Sequence, residues 1–256
     1  MNFTNLRLDV DGRIAHLTFA RPRRLNALSK DLLREVVSAC DEVNRHGDVR
    51  VMVVSGEGSS FSAGFDLSDF ASSGASPRES ADLGRLATEA LTNVRPLTIA
   101  AISGNCVGGG LVLAGACDLR VAASDVRFSI PEVDLGIPLA WGGVPRLVRE
   151  IGPALTKELV LTCRPFGADE AKSIGFLNEV VAPERVIERA NELARSLADK
   201  PQYALTVTKQ QVNAVLEEMA GTGRNTTDAE VLVFAMHDPE SREASRRYLE
   251  ARARPR

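Results

Sequence analysis

A chain of 256 residues, 44% hydrophobic and 25% charged, has the composition of an ordinary globular protein and the length to bury a large core. Its net charge of −3 argues against a nucleic-acid or membrane-surface partner, and no apolar run approaches the length of a membrane span. Four scattered cysteines (Cys40, Cys106, Cys117, Cys163) lie in apolar stretches without paired spacing, far in sequence from His16, His46 and His237. With no secretory h-region at the N-terminus, this predicts buried thiols, no metal site and a cytoplasmic protein.

LRLDVDGRIAHLTF predicts a hairpin about a two-residue Asp11-Gly12 turn. A helix over 29–46 follows, with Ser29 as N-cap, Gly47 as stop and Leu32, Leu33, Val36, Val37, Cys40 and Val43 on one face. The strand VRVMVVSG runs into the small-residue loop GEGSSFSAGFDL, and a helix at 80–93 leads to a second buried strand, PLTIAAISG. Then comes VGGGLVLAGACD, a short apolar helix opened by three glycines, followed by strands at 118–122 and 127–130 and the loop PEVDLGIPLAWGG. Strands alternating with helices, with short strands also pairing, suggest repeated ββα units. From about Pro183 the chain reads as helices only. The first, 184–199, would bury Val186, Ile187, Ala190, Leu193 and Leu197; 201–219 follows, and GTGRNTTD precedes two more.

Two places share one logic: a buried strand, a tight turn of tiny residues, then a helix start. A dinucleotide fingerprint fails in GEGSSF, where Phe61 stands in place of a glycine, and neither turn has the lysine of a phosphate-binding loop. Each glycine in a helix costs roughly 0.5–1 kcal/mol relative to alanine, so something there requires bare backbone. Two such turns side by side would aim a pair of backbone N–H groups at one oxygen, as an oxyanion hole does.

RPRRLNAL at 21–28, GEGSSFSAGFDL at 56–67, AISGNCVGGG at 101–110, CDLRVA at 117–122, PEVDLG at 131–136 and GGVPRLVREIG at 142–152 occur in an order that resembles the crotonase (enoyl-CoA hydratase/isomerase) superfamily over nearly the whole chain. The resemblance implies an α/β fold, a crotonase-like spiral of ββα units with a C-terminal helical region. The division expected is 1–195 for the core with the acyl-CoA site and 196–256 for a trimerisation or cap region. It implies a homotrimer or dimer of trimers, and an acyl-CoA thioester as substrate and source of coenzyme A, with no separate cofactor. The thioester oxygen would be held by the N–H groups of Ala63 and Gly109. Coenzyme A would lie along Arg23, Arg24, Leu25, Ala27, Ala63, Asp66, Leu67 and Gly108, with Arg21, Arg23 and Arg24 offsetting its phosphates.

Hydratases of this family use two glutamates. The later one is present as Glu132, after Pro131. The earlier one maps to Val112, which carries no proton. One carboxylate suffices for a 1,3 proton shift, so an isomerase is expected, with Glu132 as base and acid. The alternatives are a hydratase in which Asp134 or a water replaces the missing glutamate, and an acyl-CoA binder without turnover. Asp134 shares a face with Glu132 if the segment is extended; the aspartate that dienoyl-CoA isomerases and 4-chlorobenzoyl-CoA dehalogenases carry eight residues on is Ala140 here. Trp141 is expected either to wall the acyl pocket with Val112 and Pro131 or to sit in the core.

Overall fold

The computed structural model describes residues 3–66, 69, 77–222 and 227–253. The hairpin forms as β1 (Leu6–Asp11) and β2 (Ile14–Phe19), paired from Leu6 against Phe19 to Asp11 against Ile14. That register makes Gly12 and Arg13 the turn, one residue later than expected. Only Gly12 of the two has a positive φ, +56°, as a type II′ turn requires. Helix α1 (Lys30–Arg45) starts where predicted: Leu32 N donates to Ser29 Oγ at 3.2 Å. It ends one residue before the expected position, with His46 as C-cap.

Three units then repeat a pattern: β3 (Val51–Gly56), β4 (Ser60–Ser62) and α2 (Pro77–Asn93); β5 (Leu97–Ile102), β6 (Asn105–Val107) and α3 (Gly109–Ala116); β7 (Leu119–Ala123), β8 (Arg127–Ser129) and α4 (Gly143–Thr162). The two strands of a unit do not pair with each other. The longer strands join a six-stranded sheet, β1-β2-β3-β5-β7-β10, and the short ones a four-stranded sheet, β4-β6-β8-β9. Here β9 is Phe166–Gly167 and β10 is Glu179–Val181. Beyond the β1–β2 and β8–β9 pairs both sheets are parallel. Each of the three units thus passes from the larger sheet to the smaller one and then into a helix.

The central strands read as unbroken apolar runs because both faces are covered. Met52, Val54, Ala100, Ile102 and Ala122 face the main core with α1, α2 and α3. The alternating residues Val51, Val53, Ile99, Ala101, Val121 and Ala123 face a second cluster, capped by α6 (Val186–Ala198). α6 presents Val186, Ala190, Ala194 and Ala198 at four-residue spacing, so its backbone lies close to the sheet, while Ile187, expected inside, is exposed. α5 (Ala168–Ser173) precedes β10; α7 (Gln202–Ala220), α8 (Asp228–His237) and α9 (Pro239–Ala253) complete the chain. Part of the GTGRNTTD break and the segment 70–76 lie outside the described residues. All four cysteines are buried and unbridged. No helix of the described residues is long and apolar enough to cross a membrane.

The close fit of α6 on the sheet yields a prediction. Ala190→Leu should overpack the interface and cost about 1–3 kcal/mol in urea unfolding, with activity per folded molecule unchanged. An unaltered midpoint would show that this face is loosely packed.

Candidate active site

The two glycine turns meet. Gly64, at φ +87°, has no room for a side chain: a Cβ there would fall 2.9 Å from Val107 O and 3.8 Å from Gly109 N. Each glycine of the triplet faces a different neighbour. A Cβ on Gly108 would collide with the carboxylate of Glu132, one on Gly109 with the indole of Trp141, and one on Gly110 would lie 2.7 Å from Ser62 Cβ. Gly109 is the first residue of α3, so its N–H has no partner within the helix, and no side chain caps that end. The triplet thus clears space for an acid and an aromatic ring beside an uncapped helix start.

Glu132 stands on a helical turn, where Leu135 N donates to Pro131 O at 3.1 Å, Gly136 N to Val133 O at 2.9 Å and Ile137 N to Glu132 O at 2.9 Å. Its Oε2 is buried and meets no hydrogen-bond donor among the described residues. Burial away from any compensating charge pushes its carboxyl up to about 7. The turn also removes the two-residue alternation that would put Asp134 on the same face, and Asp134 is exposed. Val112 is 2% exposed, one turn into α3, and a Cβ on Gly143 would touch its Cγ2 at 2.9 Å. Ala140 is buried and apolar. Glu132 is therefore the only one of these four positions with a carboxyl turned inward.

Of the two places expected for Trp141, the structure shows the core. It belongs to the main core, and its ring packs on Gly109, on Gly84 of α2 and edge-on to Phe65 at 5.9 Å. Its φ of +61°, unusual for a bulky residue, is held by neighbours. Thr88 Oγ1 donates to its carbonyl at 3.0 Å, and the next residue's N–H, Gly142, donates to Asp228 Oδ2 of α8 at 2.9 Å.

The loop 21–28 is built around Asn26, which is fully buried at φ +53°. Its side chain accepts from Arg21 N at 2.9 Å and donates to Glu57 O and Ser60 O at 2.9 and 2.7 Å. Arg23 and Arg24 are exposed on a 3₁₀ turn, Leu25 is exposed, and Ala27 is half-buried. Three of the groups expected to meet the ligand are engaged inside the protein. Arg21 turns inward, paired with Asp66 at 2.9 Å and donating to Ala27 O, so it is not offered to a phosphate, and Asp66 is a buried strut of the loop. Ala63 N donates to Leu25 O at 2.9 Å, which commits that N–H inside the protein rather than to a thioester oxygen. Leu67 lies outside the described residues.

The profile of the enoyl-CoA hydratase/isomerase family matches residues 9–255. The chain belongs to this family. It is 35% identical over 255 residues to the crotonyl-CoA hydratase of Syntrophomonas wolfei, covering 98% of this chain and 97% of that one. The short-chain-enoyl-CoA hydratase of Clostridium acetobutylicum is 35% identical over 215 residues, 83% and 82% of the two chains. Among solved structures, an enoyl-CoA hydratase subunit from Geobacillus kaustophilus matches with a TM-score of 0.79 at 34% identity, over 99% of this chain and 98% of that one. The fold is the crotonase spiral.

For an enoyl-CoA hydratase/isomerase, the residues that sequence reasoning passed over are Asn26, Phe65, Gly84 and Asp228. Asn26 carried a signal, a turn-forming amide between two apolar residues. Gly84 and Asp228 carried none, because their role is to meet Trp141 and its neighbour from elements distant in sequence.

The buried carboxyl has a measurable cost. Below the unfolded-state value near 4.5 both states hold the proton; as pH rises toward about 7 the unfolded chain ionises first, so wild-type stability falls across that window and is level above it. Glu132→Gln lacks this dependence. Its stability relative to wild type, from denaturant unfolding, should be greater at pH 8.5 than at pH 5 by about 2–3 kcal/mol. A difference independent of pH would mean the carboxylate is solvated.

Proposed function

We propose that the protein is an enoyl-CoA isomerase in which Glu132 alone moves the proton. The observation that carries this reading is the pairing of a Glu132 carboxyl, set against Gly108 with a buried Oε2 that meets no donor among the described residues, with an apolar, core-packed Val112. Glu132, as carboxylate, takes the proton from C2 of a 3-enoyl thioester. The electron pair moves onto the thioester oxygen, giving a dienolate, and the same carboxyl returns the proton at C4 to leave a 2-enoyl thioester. Gly109 N–H stabilises the oxyanion from the start of α3. We place the second donor at Phe65, which follows Gly64 and whose ring meets the same indole that packs on Gly109. Each such donor is typically worth about 2.7–4 kcal/mol in the transition state. Trp141 and Val112 would wall the acyl chain beside Pro131, and Arg23 and Arg24 would meet the coenzyme A phosphates. The exposed apolar residues Tyr203, Val212, Val215 and Met219 of α7 fit the homotrimer expected of the fold.

A second reading, hydration, is favoured by the names of the relatives in Syntrophomonas and Clostridium. In it Glu132 and a bound water share the work of two acids, since Asp134 faces solvent.

Assays of 3-enoyl-CoA isomerisation and crotonyl-CoA hydration separate the two. Isomerisation should dominate in the wild type, and Glu132→Gln should lower it by roughly 10²–10⁴-fold. Because the base must be ionised, kcat/KM should fall as pH drops below about 7. Val112→Glu should raise hydration at least about tenfold by restoring a second acid. Fast hydration by the wild type would favour the second reading, and acyl-CoA binding with no turnover would sink both.

A further inference from the structure

The opposite end of α3 from the thioester turn borders a second concavity. It has a volume of about 1060 Å³ and lies between the last turns of α2 and α3, α4 and α7. The eight residues of α3 separate it from Gly109 by about 12 Å. Its size is that of a small-molecule site.

Arg146 of α4 lines this cavity and is 3% exposed. Its Nη1 donates to Thr92 Oγ1 at 2.7 Å, whereas Nε and Nη2 have no hydrogen-bond partner among the described residues. Those two nitrogens form one edge of the guanidinium, with N–H bonds directed side by side, the fork that accepts both oxygens of a carboxylate or phosphate. Arg149, one turn further along α4, lines the same cavity and adds like charge. Burial and that neighbour lower Arg146 to about 10, which still leaves it charged at neutral pH. Of the four carboxylates that line the cavity, Glu89 pairs with Arg85, Glu150 with Arg120 and Asp118 with Lys209, and Glu217 accepts from Thr222; Glu89 and Glu217 offset part of the Arg146 charge, and none hydrogen-bonds its Nε or Nη2. A buried guanidinium with one edge unmatched by any acceptor among the described residues is an unfavourable arrangement unless something completes it.

We propose that this cavity is a binding site for a small-molecule oxyanion, a carboxylate or a phosphate, held in bidentate fashion by Nε and Nη2 of Arg146 with Arg149 supplying further positive charge. The site is independent of the thioester chemistry.

The test is calorimetric titration and thermal unfolding of the full chain with inorganic phosphate and, separately, with malonate, at ionic strength held constant by sodium chloride. Saturable binding of either is expected, with a rise in Tm of about 2–4 °C near ten times Kd. Arg146→Met should abolish both signals while unfolding no earlier than wild type in anion-free buffer, because it removes an unpaired buried charge. Should that variant fail to fold, Arg149→Gln should weaken binding severalfold. Equal responses in wild type and Arg146→Met, or no saturable heat with either anion, would overturn the proposal. So would dissociation of an oligomer by Arg146→Met, which would assign the fork to a carboxylate of a second copy.

Discussion

The site depends on one close approach, the contact of the Gly64 turn with the backbone of Val107–Gly109. Two peptide segments from successive ββα units can touch there only because neither carries a side chain at the point of contact. The energetic balance is clear from α3 itself. Its first two residues are glycines, which weaken a helix by about 1 kcal/mol each, and it is only eight residues long. Such a helix survives through packing, and it is buried on all sides, with Leu111, Val112, Leu113 and Ala114 in the core. Tertiary burial therefore offsets a local cost, and the helix start is left uncapped toward Glu132 and Trp141.

Two carboxylates show how the surroundings assign different work to the same chemistry. Asp66 is buried with the Arg21 guanidinium at 2.9 Å, and the pair fastens the loop 21–28 to the turn after β4. Glu132 is half-buried, with its Oε2 itself buried opposite no donor among the described residues, and this desolvation pushes its carboxyl up to about 7. The first is a structural tie. In the proposed isomerase the second is the group that both accepts and returns the proton, a task for which an ion-paired carboxylate is poorly suited.

Much of this was legible in the sequence, because strand period, glycine turns and caps are local signals. The hairpin, the Ser29 cap, the doubly covered strands of the larger sheet and the order of the ββα units follow from them. The departures are equally physical. The Asp11-Gly12 turn slipped by one because the register is set by pairing of Leu6 with Phe19, not by the turn dipeptide. Asp134 left the face of Glu132 because 131–137 coils into turns in which the N–H groups of Leu135, Gly136 and Ile137 find carbonyls four, three and five residues back. The family resemblance offers Ala63 and Arg21 as ligand groups by position alone. Whether an N–H or a guanidinium already has a partner is decided by Leu25 and Asp66, which only the fold brings near.

The C-terminal helices extend the same dependence beyond the core units. Asp228 of α8 accepts from Gly142 N, directly after Trp141, and Ser241 of α9 lies so close to Gly136, φ +72°, that a Cβ there would meet its carbonyl. Ser245 Oγ donates to Leu135 O on the same turn. Trp141 and the turn bearing Glu132 are thus each fastened from α8 and α9, and the left-handed backbone of Trp141, costly for a bulky residue, persists because contacts on both sides fix it. A displacement of these helices would loosen the indole from Gly109 and the carboxyl from Gly108 together. The helical region thus fastens the turn that bears Glu132 and the residue that follows Trp141.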